Sequence, residues 1–331
     1  MKSILVTGAS GAVGPRVVWA LHQAGYHVRT FSLDVSDPKL FPNGVEVLCG
    51  NVVDLPADKA AMQGIDAVIH MAALLHIDNP PPALYEKYEK VNVDGTANVI
   101  KAAVQAGVKR VVFFSTITVY GDTAGRVLRE DSPPHPNTLY AQTKLRAEQI
   151  VLEARRLDGE PIGTVLRFGA IYGSRIKGNY RRLVQSLARG RFIPIGKGLN
   201  RRTLIYDRDV ARAAVLAAEH PAAAGKIFNV SDGQFHTLNE IIKTICEALG
   251  RTPPRISLPV GPVRLMAGIL EDVARLIGRK SPIGRTTRVK YIEDVAIDSS
   301  RIQTQLGFVP QFDLAAGWRD TVQEMRQMRD L

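Results

Sequence analysis

Tyr140 and Lys144 stand four residues apart in "LYAQTKL", so on a helix the two side chains share a face. A phenol with an ordinary pKa of about 10 is a poor base at neutral pH, and a neighbouring ammonium stabilises its phenolate. The pair can carry a proton to or from an alcohol. It is the only Tyr-x-x-x-Lys in the chain. Upstream, "FFSTITVYGD" offers Thr116, with Ser115 and Thr118 beside it, to hydrogen-bond an oxygen that changes from alcohol to carbonyl. Thr116 is the favoured hydroxyl and Ser115 the alternative. A third feature is "VTGASGAVG", residues 6 to 14, whose three glycines lie three apart behind an apolar run.

The elements needed to position these groups follow a regular rhythm. "SILVT", "HVRTFS", "VEVLC", "AVIHMA" and "RVVFFS" read as buried parallel strands. Helical stretches separate them: "PRVVWALHQAG", "DKAAMQG" and the longer "ALYEKYEKVNVDGTANVIKAAVQAG". Such alternation predicts right-handed crossovers and an α/β fold with a doubly wound parallel sheet, of the Rossmann kind. "GTVLRF" and "KIFNV" read as further strands of that sheet. The predicted division is a dinucleotide-binding domain over 1–173, to whose sheet strands near 201–232 return. A smaller, discontinuous substrate-binding region takes 174–200 and 233–331. The glycines then follow the first strand and open the first helix, where a phosphate-binding turn belongs. Gly8 permits the tight turn, Gly11 lets a pyrophosphate approach the backbone, and Gly14 lets helix and strand pack closely. The helix N-terminus supplies N–H groups to the phosphates. A dinucleotide there would exchange a hydride with the alcohol that Tyr140 serves.

Composition sets bounds on these readings. At 331 residues, with 45% hydrophobic and 23% charged residues, the chain reads as an ordinary globular enzyme. No apolar run reaches the length of a membrane span, and "MKSILVTG" is too short for a secretory signal. Cys49 and Cys246 lie far apart and suggest neither a disulfide framework nor a metal site, so a cytoplasmic setting is expected. The net charge of +11 suits nucleic acid, anionic lipid or a phosphorylated small molecule.

"VTGASGAVG", "DAVIHMAA", "VNVDGTANVIKAA", "STITVYG", "YAQTK", "LRFGAIYG" and "RRTLIYDRDVARA" occur in this order along the chain. In them the protein resembles the extended short-chain dehydrogenase/reductase family, in its sugar-nucleotide epimerase and dehydratase group, over its whole length. The resemblance implies Thr116, Tyr140 and Lys144 as hydroxyl, general base and supporting lysine. It implies cofactor contacts from Gly8, Ser10, Gly11, Ala12, Val13 and Gly14, from Met71, Ala72 and Ala73, from Asn92, and from Tyr140 and Lys144. Where an acidic residue often ends the second strand, this chain has Ser32, with Asp34 two positions on. The aspartate expected after the third strand reads Asn51, followed by Val52. Asp34 and Asp37, with no arginine after the strand, favour NAD over NADP. Members that have become nucleic-acid-binding regulators tend to lose the tyrosine–lysine pair, so its presence argues against a nucleic-acid partner.

For the substrate side, Arg202 matches the arginine that sugar-nucleotide epimerases place against a diphosphate. Thr118 and Asn179 are the other expected contacts, with Arg175, Lys177, Arg181 and Arg182 adding positive charge. Ala170 stands where many members carry an asparagine. The implied activity is NAD-dependent 4-epimerisation of a diphosphate-linked hexose, N-acetylhexosamine favoured, on a nucleotide or a polyprenyl carrier. The alternatives are 4-keto reduction of a UDP-deoxy-sugar and 3β-hydroxysteroid-type oxidation. The family commonly dimerises through helices that here fall near 83–106 and 137–157. From Arg255 to Lys290, Leu265, Ile269, Val273 and Leu276 form an apolar stripe beside Arg279, Lys280, Arg285, Arg288 and Lys290. This segment either caps the sugar site or lies against anionic lipid.

Overall fold

The computed structural model describes residues 2–34, 37–75, 77, 80–262 and 294–331. Short, β-branched runs give β1 (Ser3–Thr7), β2 (His27–Ser32), β3 (Glu46–Cys49), β4 (Ala67–His70) and β5 (Arg110–Thr116). After β6 (Val127–Leu128) come β7 (Gly163–Phe168), β8 (Ala170–Tyr172), β9 (Arg201–Arg202) and β10 (Leu204–Tyr206). The remaining strands are β11 (Lys226–Val230), β12 (His236–Thr237) and β13 (Ala296–Ile297). Seven strands form one parallel sheet in the order β11-β7-β5-β4-β1-β2-β3. The order reverses direction between β1 and β4, so the carboxyl ends of those strands open a crevice.

Helices cover both faces. On one side α1 (Gly14–Gln23) and α7 (Asp207–Glu219) bury Val17, Val18 and Leu21 with Val210, Ala213, Ala214 and Ala217 against Ile4, Val6 and Ile69. On the other, α2 (Leu55–Ala61), α4 (Gly95–Gln105) and α5 (Leu139–Glu153) bury Ala61, Val99, Ala103, Ala147 and Val151 against Leu5, Val68 and Phe113. Strand residues alternate between the two cores because successive side chains point to opposite faces. A third core joins α6 (Asn179–Ala188), α8 (Leu238–Leu249) and α10 (Leu314–Gln327) through Leu183, Ile241, Ile245, Trp318 and Val322. The helix between β13 and α10 is α9 (Ser300–Leu306).

Several elements differ from the sequence reading. β3 is the edge strand of the sheet among the described residues, and its side chains alternate between half-buried and exposed, so one face of "VEVLC" meets solvent. The long helical stretch is broken: α3 (Tyr85–Tyr88) runs into a π-helical turn, Glu89–Asp94, before α4 begins. Of the strands near 201–232, only β11 joins the seven-stranded sheet; β9 pairs with β12 and β10 with β8, each in a separate ribbon. Within 233–331, Ile302, Leu306 and Phe308 pack into the first core, against the sheet. The apolar stripe and the basic residues from Arg279 to Lys290 lie outside the described residues.

Candidate active site

The glycine turn joins β1 to α1. Gly8 has φ +69°, a conformation in which a side chain is strained, and a Cβ there would sit 2.7 Å from the Ala72 backbone. A Cβ on Gly14 would fall 1.9 Å from the Ala9 carbonyl oxygen, so the turn closes on itself at this point. Gly11 is held by its amide donating to the Gly8 carbonyl, 3.0 Å. No side chain caps the start of α1, where Val13 occupies the N-cap position; the Gly14 and Arg16 amides donate to the Gly11 and Val13 carbonyls at 3.2 and 3.0 Å, and Pro15 between them has no amide hydrogen. The Ser32 hydroxyl accepts from the Ser10 amide at 3.2 Å and is buried, so it braces the turn from β2. Asp34 is exposed just beyond it. Asn51 turns its carbonyl oxygen to the Val53 amide, 3.2 Å, and the Val52 carbonyl accepts from Asn98, 3.2 Å.

Beyond β4, Met71 and Ala72 are tied to Thr7, through its carbonyl at 3.2 Å and its hydroxyl at 3.3 Å; they and Ala73 are half-buried. A buried chain runs on from Thr7. Its hydroxyl meets His70 Nδ1 at 2.6 Å, His70 Nε2 meets the Thr96 hydroxyl at 3.0 Å, and Thr96 donates to the Asn92 carbonyl at 2.7 Å. With the Thr96 proton committed, Nε2 carries the imidazole hydrogen and Nδ1 accepts from Thr7. Burial, then the nearby Lys144 charge, pushes His70 down to about 3, so the ring is neutral. Asn92, inside the π turn, pairs with both backbone groups of Leu74 at 2.7 and 3.2 Å and donates to Thr143 at 3.1 Å.

α5 starts at Thr138, whose hydroxyl caps the Ala141 amide at 3.2 Å. Tyr140 follows in the first turn, half-buried, and burial plus the neighbouring Tyr88 push its phenol up to about 12. Lys144 is 2% exposed, with its ammonium over the Phe113 ring at 3.8 Å. Burial pulls that ammonium down to about 7, against the upward pull of Glu148. Glu148, Arg167, Tyr88 and His70 also belong to this site, and none of them is among the residues to which the sequence motifs assign a role. Glu148 was visible as the next i+4 position after Lys144, and Arg167 as a lone charge within an apolar strand.

Thr116 and Ser115, adjacent on β5, point to opposite faces. Ser115 is buried and donates to Glu148, which gives it a structural partner. Thr116 accepts from the Thr118 amide at 3.2 Å and lines a cavity of about 310 Å³. Thr118, Asn137, Thr138, Ala170, Asn179 and Arg202 line the same cavity, whose apolar wall includes Phe168, Tyr180 and Leu183. Thr116, Thr118, Asn179 and Arg202 are therefore brought together. Tyr140 and Lys144 are absent from that lining, and Thr138 at the head of their helix is its nearest member in sequence. Arg181 is turned away to pair with Asp330, so it leaves the expected basic cluster. Lys177 and Arg182 are exposed, and Arg201, beside Arg202, forks onto Asp294 at 2.6 to 3.2 Å.

A glycine turn opening the first helix of a doubly wound sheet, with Tyr-x-x-x-Lys on the helix after β5, defines a dinucleotide-dependent enzyme of the short-chain dehydrogenase/reductase type. The chain belongs to the NAD dependent epimerase/dehydratase family, whose pattern matches residues 4–231. It is 28% identical over 324 residues to the N-acetyl-alpha-D-glucosaminyl-diphospho-ditrans,octacis-undecaprenol 4-epimerase of Escherichia coli O157:H7, covering 97% of this chain and 94% of that one. It is 28% identical over 335 residues to the UDP-glucose 4-epimerase of Vibrio cholerae, covering 98% and 96%. Among solved structures it is similar to MoeE5 in complex with UDP-glucose and NAD, with a TM-score of 0.77, 27% identity and 99% of each chain covered. The family's cofactor is NAD, and the turn fits it: at Gly8 and Gly14 a Cβ would strike backbone, so the chain stays tightly wound at the head of α1, which no side chain caps.

Proposed function

We propose that the protein is a 4-epimerase of a diphosphate-linked hexose, with N-acetylhexosamine the favoured sugar. The observation that carries this reading is a cavity in which Thr116, at the end of β5, shares walls with Asn179 and Arg202. A hydroxyl at one wall and a guanidinium at another suit a sugar whose far end carries phosphate. The E. coli and V. cholerae relatives, both 4-epimerases by name, support it.

The residues divide the work. Gly8, Ser10, Gly11, Ala12, Val13 and Gly14 would hold the cofactor's diphosphate, Ser32, Asp34, Asn51 and Val52 its adenosine side. Met71, Ala72, Ala73 and Asn92 would flank its nicotinamide side. NAD, when bound, supplies the acceptor and donor of the hydride at C4. Thr116 holds O4 through the change from alcohol to ketone and back. Tyr140 takes the O4 proton and later returns it. Its phenol is high at about 12, so this step requires the Lys144 charge to be brought to bear on the phenolate. Asn92, through Thr143, steadies the first turns of α5. Arg202 and Asn179 anchor the diphosphate end while the 4-keto sugar turns over. We further infer a homodimer through α4 and α5, which sedimentation equilibrium tests.

The deciding experiment is a panel of diphosphate-linked sugars, on nucleotide and on polyprenyl carriers, followed by NMR for inversion at C4. Inversion without net change in cofactor supports the reading. Stoichiometric consumption of reduced cofactor by a 4-keto UDP-sugar, with no epimer from UDP-N-acetylglucosamine, replaces it with 4-keto reduction.

A further inference from the structure

Tyr140, Lys144 and Glu148 recur every four residues along α5 and so line one face of it. Lys144 and Glu148 are 2% and 1% exposed. An i, i+4 lysine and glutamate would ordinarily close on each other, but here the glutamate is taken. Arg167, from β7, donates Nε to its two oxygens at 3.0 and 3.1 Å and Nη2 to Oε2 at 2.6 Å; Ser115, from β5, donates as well. Arg167 is fixed in turn, donating to the Tyr120 hydroxyl at 2.9 Å. Tyr120 donates to Asn229 on β11 at 2.8 Å, and Asn229 donates to the Asp298 carbonyl at 3.0 Å.

We propose that Glu148 is a positioning residue for proton transfer: held by Arg167 and Ser115, its carboxylate keeps the buried Lys144 ammonium charged and aligned beneath Tyr140. This rests on the reading that Tyr140 and Lys144 perform the proton chemistry. A buried lysine sheds its proton unless a counter-charge is at hand. Among the described residues, the groups facing Lys144 are Tyr140 and Glu148 from its own helix, His70 from β4, the Phe113 ring from β5, and Arg167 behind Glu148 from β7. His70 is neutral, Tyr140 is protonated, and Phe113 offers a ring face. Glu148 alone of these supplies negative charge to the ammonium. The Arg167 fork matters in the opposite sense. By occupying both carboxylate oxygens it stops Glu148 from drawing the ammonium down the helix, away from Tyr140 and the crevice. A fixed counter-charge one turn away supports the charge without capturing it.

The two members of the pair therefore have opposite effects on Lys144, a signature that loss of packing alone does not produce. The direct readout is the titration of lysine side-chain signals by NMR on selectively labelled protein, with Lys144→Met assigning the signal. Glu148→Gln should lower the Lys144 titration by about one pH unit, and Arg167→Gln should raise it by a similar amount. Each variant leaves one charge buried and should lower the melting temperature, so a variant that removes both charges is needed beside them. Glu148→Gln/Arg167→Gln removes both charges with side chains that still hydrogen-bond, and it too should lower Lys144, Glu148 being the nearer charge. A Lys144 titration within about 0.3 unit of wild type in any folded variant lacking Glu148 overturns the inference. Tyr140→Phe separates the two failures: undiminished C4 inversion there sinks the reading of the site, whereas an inactive Tyr140→Phe beside an unmoved Lys144 sinks only the role of Glu148.

Discussion

Asp58 makes a test of how faithfully burial sets ionisation in this protein. It sits on α2, 1% exposed, and neither carboxylate oxygen has a hydrogen-bond partner among the described residues. Burial, then the nearby Asp54 charge, pushes it up to about 8 from the usual 3.8. Between about pH 4 and pH 8 the folded chain therefore holds a proton that the unfolded chain has released. Stability from this group is fully present below the unfolded value and falls as pH rises, by at most about 1.4 kcal/mol per pH unit, until it levels off near pH 8. The ceiling over that span is about 6 kcal/mol, and structural relaxation around buried polar groups brings the expected cost nearer about 2–3 kcal/mol. Asp58→Asn isolates the ionisation, because an amide buried in the same place costs the same at every pH. Urea unfolding of both proteins at pH 5 and pH 8 gives the comparison. The variant should gain on the wild type by about 2 kcal/mol between the two conditions. A difference that does not change with pH refutes the reasoning and means the Asp58 carboxylate is solvated or paired.

Other outcomes follow from the site. Gly14→Ala places a Cβ against the Ala9 carbonyl at 1.9 Å and should weaken NAD binding at least about a hundredfold by calorimetry while the fold, read by circular dichroism, survives. Arg202→Gln should raise KM for a UDP-sugar about ten- to a hundredfold with a smaller change in kcat, because the lost contact is to the diphosphate in ground and transition states alike. If Arg279, Lys280, Arg285 and Arg288 face anionic lipid, the protein pellets with anionic vesicles at low salt, and changing all four to glutamine abolishes this, each having contributed about 1 kcal/mol. Recovery in the supernatant at low salt favours a nucleotide carrier.

The parts of this architecture that were legible in the sequence are those that local pattern controls. Apolar runs between helical repeats announced the strands of the large sheet, and Gly8 and Gly14 announced a turn that no other residue type fits. What escaped depends on which distant segment arrives. β3 is an edge because no strand follows it across the sheet, and β9 and β10 leave the main sheet because β12 and β8 are closer partners. The choice between Ser115 and Thr116 turns on which face of β5 meets α5, a tertiary fact; Glu148 claims Ser115 and leaves Thr116 to the cavity. Arg181 looked like a phosphate ligand until the chain's end brought Asp330 to it. The break between α3 and α4 likewise reflects Asn92 bonding the loop after β4, a contact that helical periodicity cannot register.

In 4-epimerisation of the kind proposed, hydrogen leaves C4 of the sugar and returns to the same carbon on its other face. UDP-N-acetylglucosamine carrying deuterium at C4, and the same sugar on a polyprenyl diphosphate, test it directly when incubated with the protein and NAD and followed by NMR and mass spectrometry. The expected result is a C4-inverted product that keeps its deuterium at C4, no net reduced cofactor, and loss of both conversions in Tyr140→Phe. Inverted product from which the deuterium has washed out into water, or inversion undiminished in Tyr140→Phe, contradicts it.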